Sequence, residues 1–101
     1  MLFMVVERFA AGRQAEIYRT VRERGRMTPE GLVYVDSWIS ASFDVCFQLM
    51  ECDDPVLFQE WVVGWGDLVD IDVIPVTNSK TTAALMNRLV AAEASDNTSD
   101  G

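Results

Sequence analysis

The sequence predicts one α+β domain of order β-α-β-β-α-β with a further helix after it. Three observations carry that prediction. Four short apolar segments with strand character alternate with segments of helical periodicity. The second and third apolar segments are joined by a brief polar connection, the spacing of an antiparallel hairpin. The chain has 101 residues, enough for one domain and one core.

Residues 2–8 are apolar on both parities, as a central strand covered on both faces should be. Ala11-Gly12 breaks this strand, and residues 13–24 read as a helix with Ile17, Tyr18 and Val21 on one face. Arg19 and Glu23 are spaced to pair. Arg22, Arg24 and Arg26 gather where cations suit the helix dipole, and Gly25 is placed as the C-terminal cap. Thr28-Pro29-Glu30-Gly31 has the residues of a type I turn. A second strand covers 32–39 and, after Ser40-Ala41-Ser42, a third covers 44–52.

Asp53-Asp54-Pro55 sets a carboxylate and a proline where a helix starts. Leu57, Phe58, Trp61, Val62 and Trp65 form its buried face, and Gly64 and Gly66 end it. The fourth strand, 68–76, contains Pro75 and therefore belongs at a sheet edge. Ser79 is expected to cap a last helix with the narrower stripe Leu85, Met86, Leu89 and Val90. Residues 1–78 thus form the domain, 79–93 the C-terminal helix, and 94–101 a polar tail expected to fray. Right-handed crossovers fold this order into a ferredoxin-like split βαββαβ sheet with strands one and three central.

Net charge is −8 and there is no histidine, a balance that repels a phosphate backbone and speaks against nucleic acid as partner. Six of the eight basic residues are arginines between positions 8 and 26, whereas residues 27–79 contain no Lys or Arg. That asymmetry reads first as a solvated basic helix on an acidic domain, with an anion or partner site on that helix as the alternative. No apolar run approaches the roughly 18 residues that span a bilayer, and Glu7-Arg8 interrupts the opening segment too early for a signal peptide. A cytoplasmic protein without membrane contact is expected. On one strand, Cys46 and Cys52 would be roughly 20 Å apart, too far for a disulfide, so two reduced thiols are expected.

Each strand has one nearly aliphatic parity and one mixed parity. Leu2, Met4 and Val6 stand against Phe3, Val5 and Glu7; Val45, Phe47 and Leu49 stand against Cys46, Gln48 and Met50. In strand two, Val33, Val35, Ser37 and Ile39 stand against Tyr34, Asp36 and Trp38; in strand four, Val69, Ile71 and Val73 stand against Asp70, Asp72, Ile74 and Val76. The aliphatic parities are expected to pack under the helices. The mixed ones remain too apolar for water, so a second copy is expected to cover them, giving a homodimer. The C-terminal helix folding back over the sheet is the alternative cover.

The opening Met-Leu-Phe-Met-Val-Val-Glu, Arg22-Glu23-Arg24-Gly25-Arg26, Pro29-Glu30-Gly31-Leu32, Ser37-Trp38, the run from Cys46 to Asp54, Trp61, Trp65, and Asp67-Leu68-Val69-Asp70 with Val73-Ile74-Pro75-Val76 resemble a bacterial family of proteins of similar length. It is a family of unknown function, grouped with the dimeric α/β-barrel proteins. The resemblance covers residues 1–78 and implies the ferredoxin-like fold and the dimer, with no activity assigned. More distantly the architecture is similar to muconolactone isomerases and to antibiotic-biosynthesis and haem-degrading monooxygenases. A chain without histidine lacks the usual axial ligand of the haem enzymes. Fold kinship of this kind carries little functional weight.

The mixed parities would line the space between two sheets, which makes Glu7, Tyr34, Asp36, Trp38 and Gln48 the candidate ligand-binding residues. Asp36 or Glu7, partly desolvated, is a potential general base, and Tyr34 and Trp38 could stack on a planar molecule. The plainer alternative is an interface in which these groups pair with one another. Two thiols without histidine make a poor zinc site, and a cysteine nucleophile would have no imidazole base, so no metal and no cofactor are expected. Trp61 and Trp65 read as core. Two functions stay open: binding of a small hydrophobic or planar ligand between the sheets, and a cofactor-independent isomerase or monooxygenase acting on a small organic compound.

Overall fold

In the computed structural model, residues 1–99 are described, with side chains as far as Ser95. Four strands and three α-helices follow in the order β1 (Leu2–Phe9), α1 (Gln14–Arg24), β2 (Val33–Ile39), β3 (Val45–Glu51), α2 (Val56–Trp65), β4 (Val69–Val76) and α3 (Ser79–Ser99). A single 3-10 turn at Gly66–Leu68 leads into β4. The sheet is antiparallel with order β2-β3-β1-β4, which is the ferredoxin-like arrangement with β1 and β3 central. Pro75 lies on the edge strand β4, where its missing N–H interrupts no second ladder.

Local chemistry explains most of the boundaries. Gly25, at φ +68°, closes α1 by donating its N–H to the Val21 carbonyl at 2.8 Å. The Asp54 carboxylate accepts the Val56 N–H at 3.1 Å and so caps α2 as expected. Three expectations shift. The turn before β2 lies one residue later, with the Leu32 N–H on the Pro29 carbonyl at 3.1 Å. Its third residue, Gly31, has φ +93°, as a type II turn requires. Arg13, rather than Arg19, makes the ion pair of α1, with Glu16 at 2.8 Å. Asn78 rather than Ser79 caps α3, its side chain accepting the Lys80 N–H at 2.8 Å. That helix also takes up the expected polar tail as far as Ser99, and the end of the tail lies outside the described residues.

The core sits between the sheet and the pair α1 and α2. Phe3, Val5, Ile17, Met50, Phe58, Trp61, Trp65 and Val69 are its main members, with Phe3 and Phe58 edge to face at 4.8 Å. This assignment reverses the expected parity for β1 and β3. Their mixed parities, Phe3/Val5/Glu7 and Cys46/Gln48/Met50, face the helices, and β4 turns Val69, Ile71 and Val73 the same way. The reason is volume: Phe3 and Met50 fill the layer beneath the aromatic face of α2, and the polar members of that parity are drawn in with them.

The other face of the sheet is open. Leu2, Met4, Val6, Val45 and Leu49 are half-buried there by their strand neighbours alone, and Val33, Trp38, Phe47 and Ile74 are exposed. The C-terminal helix does not fold back over this face: every side chain of α3 from Ser79 to Ser95 is exposed, including Leu85, Met86, Leu89 and Val90. Cys46 and Cys52 are both free and buried. Among the described residues no helix is long and apolar enough to cross a membrane.

Candidate ligand site

A bulge in β2 decides which predicted residues meet. Tyr34 pairs with Met50 and Asp36 with Leu49, so Val35 is an extra residue and the alternation restarts behind it. Tyr34 and Ser37, of opposite parity in the sequence, come to one face, and their hydroxyls lie 2.6 Å apart. Asp36 and Trp38 are turned to the open face, in register with Leu49 and Phe47. Of the five candidates, then, Glu7, Tyr34 and Gln48 stay together on the helix side. Asp36 and Trp38 do not join them. Asp36 is exposed and accepts the N–H of Ser37 at 2.8 Å.

Between α1, α2 and this half of the sheet lies a cavity of about 140 Å³. Glu7, Arg26, Ser37, Cys46 and Gln48 give it polar groups, and Phe9, Ile17, Val21, Trp61 and Trp65 give it apolar walls. Tyr18 stands at its rim between Phe9 and Phe43, ring centroids 6.5 and 5.5 Å away. This cavity lies beneath the helices, on the face of the sheet opposite the open one.

Arg26 is the residue that sequence reading missed, having been counted with the basic end of α1. It falls one residue beyond the Gly25 cap, in the loop that crosses back to β2. Its carbonyl accepts the indole N–H of Trp61 at 2.8 Å and that of Trp65 at 3.2 Å, so α2 holds the loop in place. The guanidinium donates to Gln48 Oε1 at 2.8 Å and lies over the Tyr34 ring, 3.8 Å from its centroid. Met27, next in sequence, takes φ +59°, a left-handed conformation that costs about 1 kcal/mol outside glycine and is held by packing against the core. A basic side chain immediately after a helix-ending glycine and before an apolar strand was the available signal.

Glu7 is 8% exposed, and its Oε1 is the one buried side-chain polar atom without a hydrogen-bond partner among the described residues. Burial pushes its pKa up to about 7, against a smaller opposing pull from Arg26. Burial, followed by the neighbouring Glu7, raises the Cys46 thiol to about 11, so this cysteine is a buried thiol and not an activated nucleophile. Gln48, 1% exposed, spends its amide N–H on the Met50 sulfur at 3.2 Å. Chemically, the cavity offers a fixed cation, a carboxyl that can carry a proton at neutral pH, and flat aromatic walls. Among the described residues, no group of three or more His, Cys, Asp or Glu is placed to hold a metal ion.

Comparison with known proteins places the chain without naming an activity. No curated protein and no solved structure matches it. A family model described as a domain of unknown function, DUF3303, matches residues 1–90, from the first strand into α3. With that match spanning nearly all of the chain, the protein belongs to the DUF3303 family.

Proposed function

We propose that this domain binds a small, flat, largely apolar molecule in the cavity beneath α1 and α2, and that it does so as a homodimer closed across the open faces of two sheets. One observation carries the ligand site: a buried carboxyl with an oxygen unpartnered among the described residues lines a cavity beside a cation, Arg26, already positioned by two indoles, a glutamine and a tyrosine ring. Leaving such a group unsatisfied costs about 1–3 kcal/mol, a cost that a ligand or water in the cavity relieves. The dimer is supported by the open face, where Trp38 is 52% and Ile74 47% exposed beside Phe47 and Val33. Apolar patches of more than a few hundred Å² are uncommon on monomers. The dimeric α/β barrel expected from the sequence points the same way.

Fluorescence tests the ligand site directly. The chain has three tryptophans, two of which line the cavity, so Trp38→Phe leaves only reporters at the site. Titration with single-ring aromatic compounds is expected to change that emission saturably. A panel that leaves both the emission and the amide NMR shifts of Glu7, Arg26 and Gln48 unmoved refutes the reading.

A second reading, isomerisation or oxygenation of the bound compound without a cofactor, is favoured by the ability of Glu7 to exchange a proton near neutrality. It requires Glu7-dependent exchange of solvent deuterium into a bound carbon acid.

A further inference from the structure

On the reading that the cavity is a ligand site, we infer that its occupant is a small aromatic carboxylate, received by the Arg26 guanidinium, and that it binds only with Glu7 protonated, so that an ionised Glu7 takes a proton from solvent as it binds. The inference starts from which groups are committed and which are not. One guanidinium nitrogen of Arg26 is spent on Gln48, and no ion pair links Arg26 to Glu7 among the described residues. Glu7 Oε1 is likewise unspent. A guanidinium stays charged in proteins, whereas a carboxyl can lose its charge by taking a proton. The state that burial favours is therefore an arginine cation beside a neutral carboxyl, and both of these donate. Two donors, one of them charged, call for an acceptor with negative charge.

Arg26 is the one charged side chain beside Glu7 among the residues lining the cavity. Arg26 comes from the α1–β2 loop, Cys46 from β3 and Tyr18 from α1. From α2 the cavity meets two indoles, and from β4 the strand partner of Glu7 is Ile71. The thiol stays protonated at neutral pH, so Glu7 is the group that titrates there. Size narrows the ligand further: about 140 Å³ is below the range of roughly 300 Å³ and above that suits drug-sized molecules, so one ring and its carboxylate fit best. The aromatic walls favour a flat ring over an aliphatic chain.

Benzoate and its neutral isostere benzamide are the probes, titrated calorimetrically into the full chain. If only the Glu7-protonated site accepts the anion, the apparent affinity follows the protonated fraction. With Glu7 near 7, benzoate binding is expected to weaken by about thirtyfold between pH 6 and pH 8.5. Benzamide binding should change by less than about twofold over that range. At pH 7, phosphate and imidazole buffers should report proton uptake with benzoate and none with benzamide. Glu7→Gln should bind benzoate independently of pH. Arg26→Lys, which keeps the charge but loses the fork and the ring contact, should weaken benzoate by about tenfold and benzamide by less. Benzamide binding as tightly as benzoate, or benzoate binding without proton uptake, overturns the ligand class and leaves the site standing. A cavity that takes up neither probe in any buffer overturns the inference and the site together.

Discussion

Glu7 and Gln48 are buried beneath two helices, while Trp38, Phe47 and Ile74 stand on the opposite face of the same sheet with 40–52% of their surface exposed. A lone subunit built for stability alone would distribute these residues the other way round. The covered face accepts the cost of desolvating a carboxyl and an amide, which is the usual mark of a site. The open face carries Leu2, Met4, Val6 and Leu49 without a single helix packed over them, which is the usual mark of an interface. On the proposed reading, the two sides of one sheet separate binding from assembly, and substitutions on either side should act on one without the other.

The largest effect is expected on the open face. Trp38 and Ile74 lie on opposite edge strands, so aspartates there act on separate parts of the proposed interface. Each buried charge should cost about 2 kcal/mol or more, and the pair about 4, weakening dimerisation roughly a thousandfold by sedimentation equilibrium. Far-UV circular dichroism should stay unchanged, because neither side chain belongs to the core. A wild-type chain that sediments as a monomer at micromolar concentration would break the contrast at once.

On the covered face, the effect follows from linkage. Glu7 releases its proton near 4.5 in the unfolded chain and only at about 7 when folded, so the folded state holds more protons across that window. The stabilisation is full below pH 4.5, is lost as pH rises through 7, and amounts to about 3 kcal/mol. Glu7→Gln removes the titration while keeping the shape. Urea unfolding should find the variant more stable than the parent by about 2–3 kcal/mol at pH 8 and nearly equal to it at pH 4.5. Equal stabilities at both pH values would mean that Glu7 is solvated.

How far each face could be read from sequence differs for a physical reason. Element order, strand order and the edge position of Pro75 follow from periodicity, turn residues and the handedness of crossovers, and the structure has all of them. Which parity goes inward does not follow from hydropathy when both parities are apolar. Leu2/Met4/Val6 scores as well as Phe3/Val5/Glu7, and side-chain volume beneath α2 decides between them. The bulge at Val35 was equally silent, and it alone separated Asp36 and Trp38 from Tyr34. Glu7 and Gln48 were candidates as polar members of the parities expected to line the space between two sheets, and they lie buried beneath the helices instead. Arg26 was hidden among five other arginines, and its role depends on two indole hydrogen bonds from 35 and 39 residues away.

The smallest effect reports on the coupling inside the cavity. The Cys46 thiol is raised to about 11 first by burial and then by the negative charge of Glu7. At pH 8 about one thiol in a thousand is ionised, so alkylation by iodoacetamide should run roughly a hundredfold slower than for an ordinary cysteine. With Cys52 replaced by serine, the remaining thiol can be followed alone. Glu7→Gln removes the second cause and leaves the first, and the rate should therefore rise only a few-fold, with less rise toward pH 6, where Glu7 is already neutral. An acceleration that persists unchanged at pH 6 would trace to looser packing rather than to lost charge. Only the pH-dependent increment shows that the carboxyl and the thiol share one desolvated cavity.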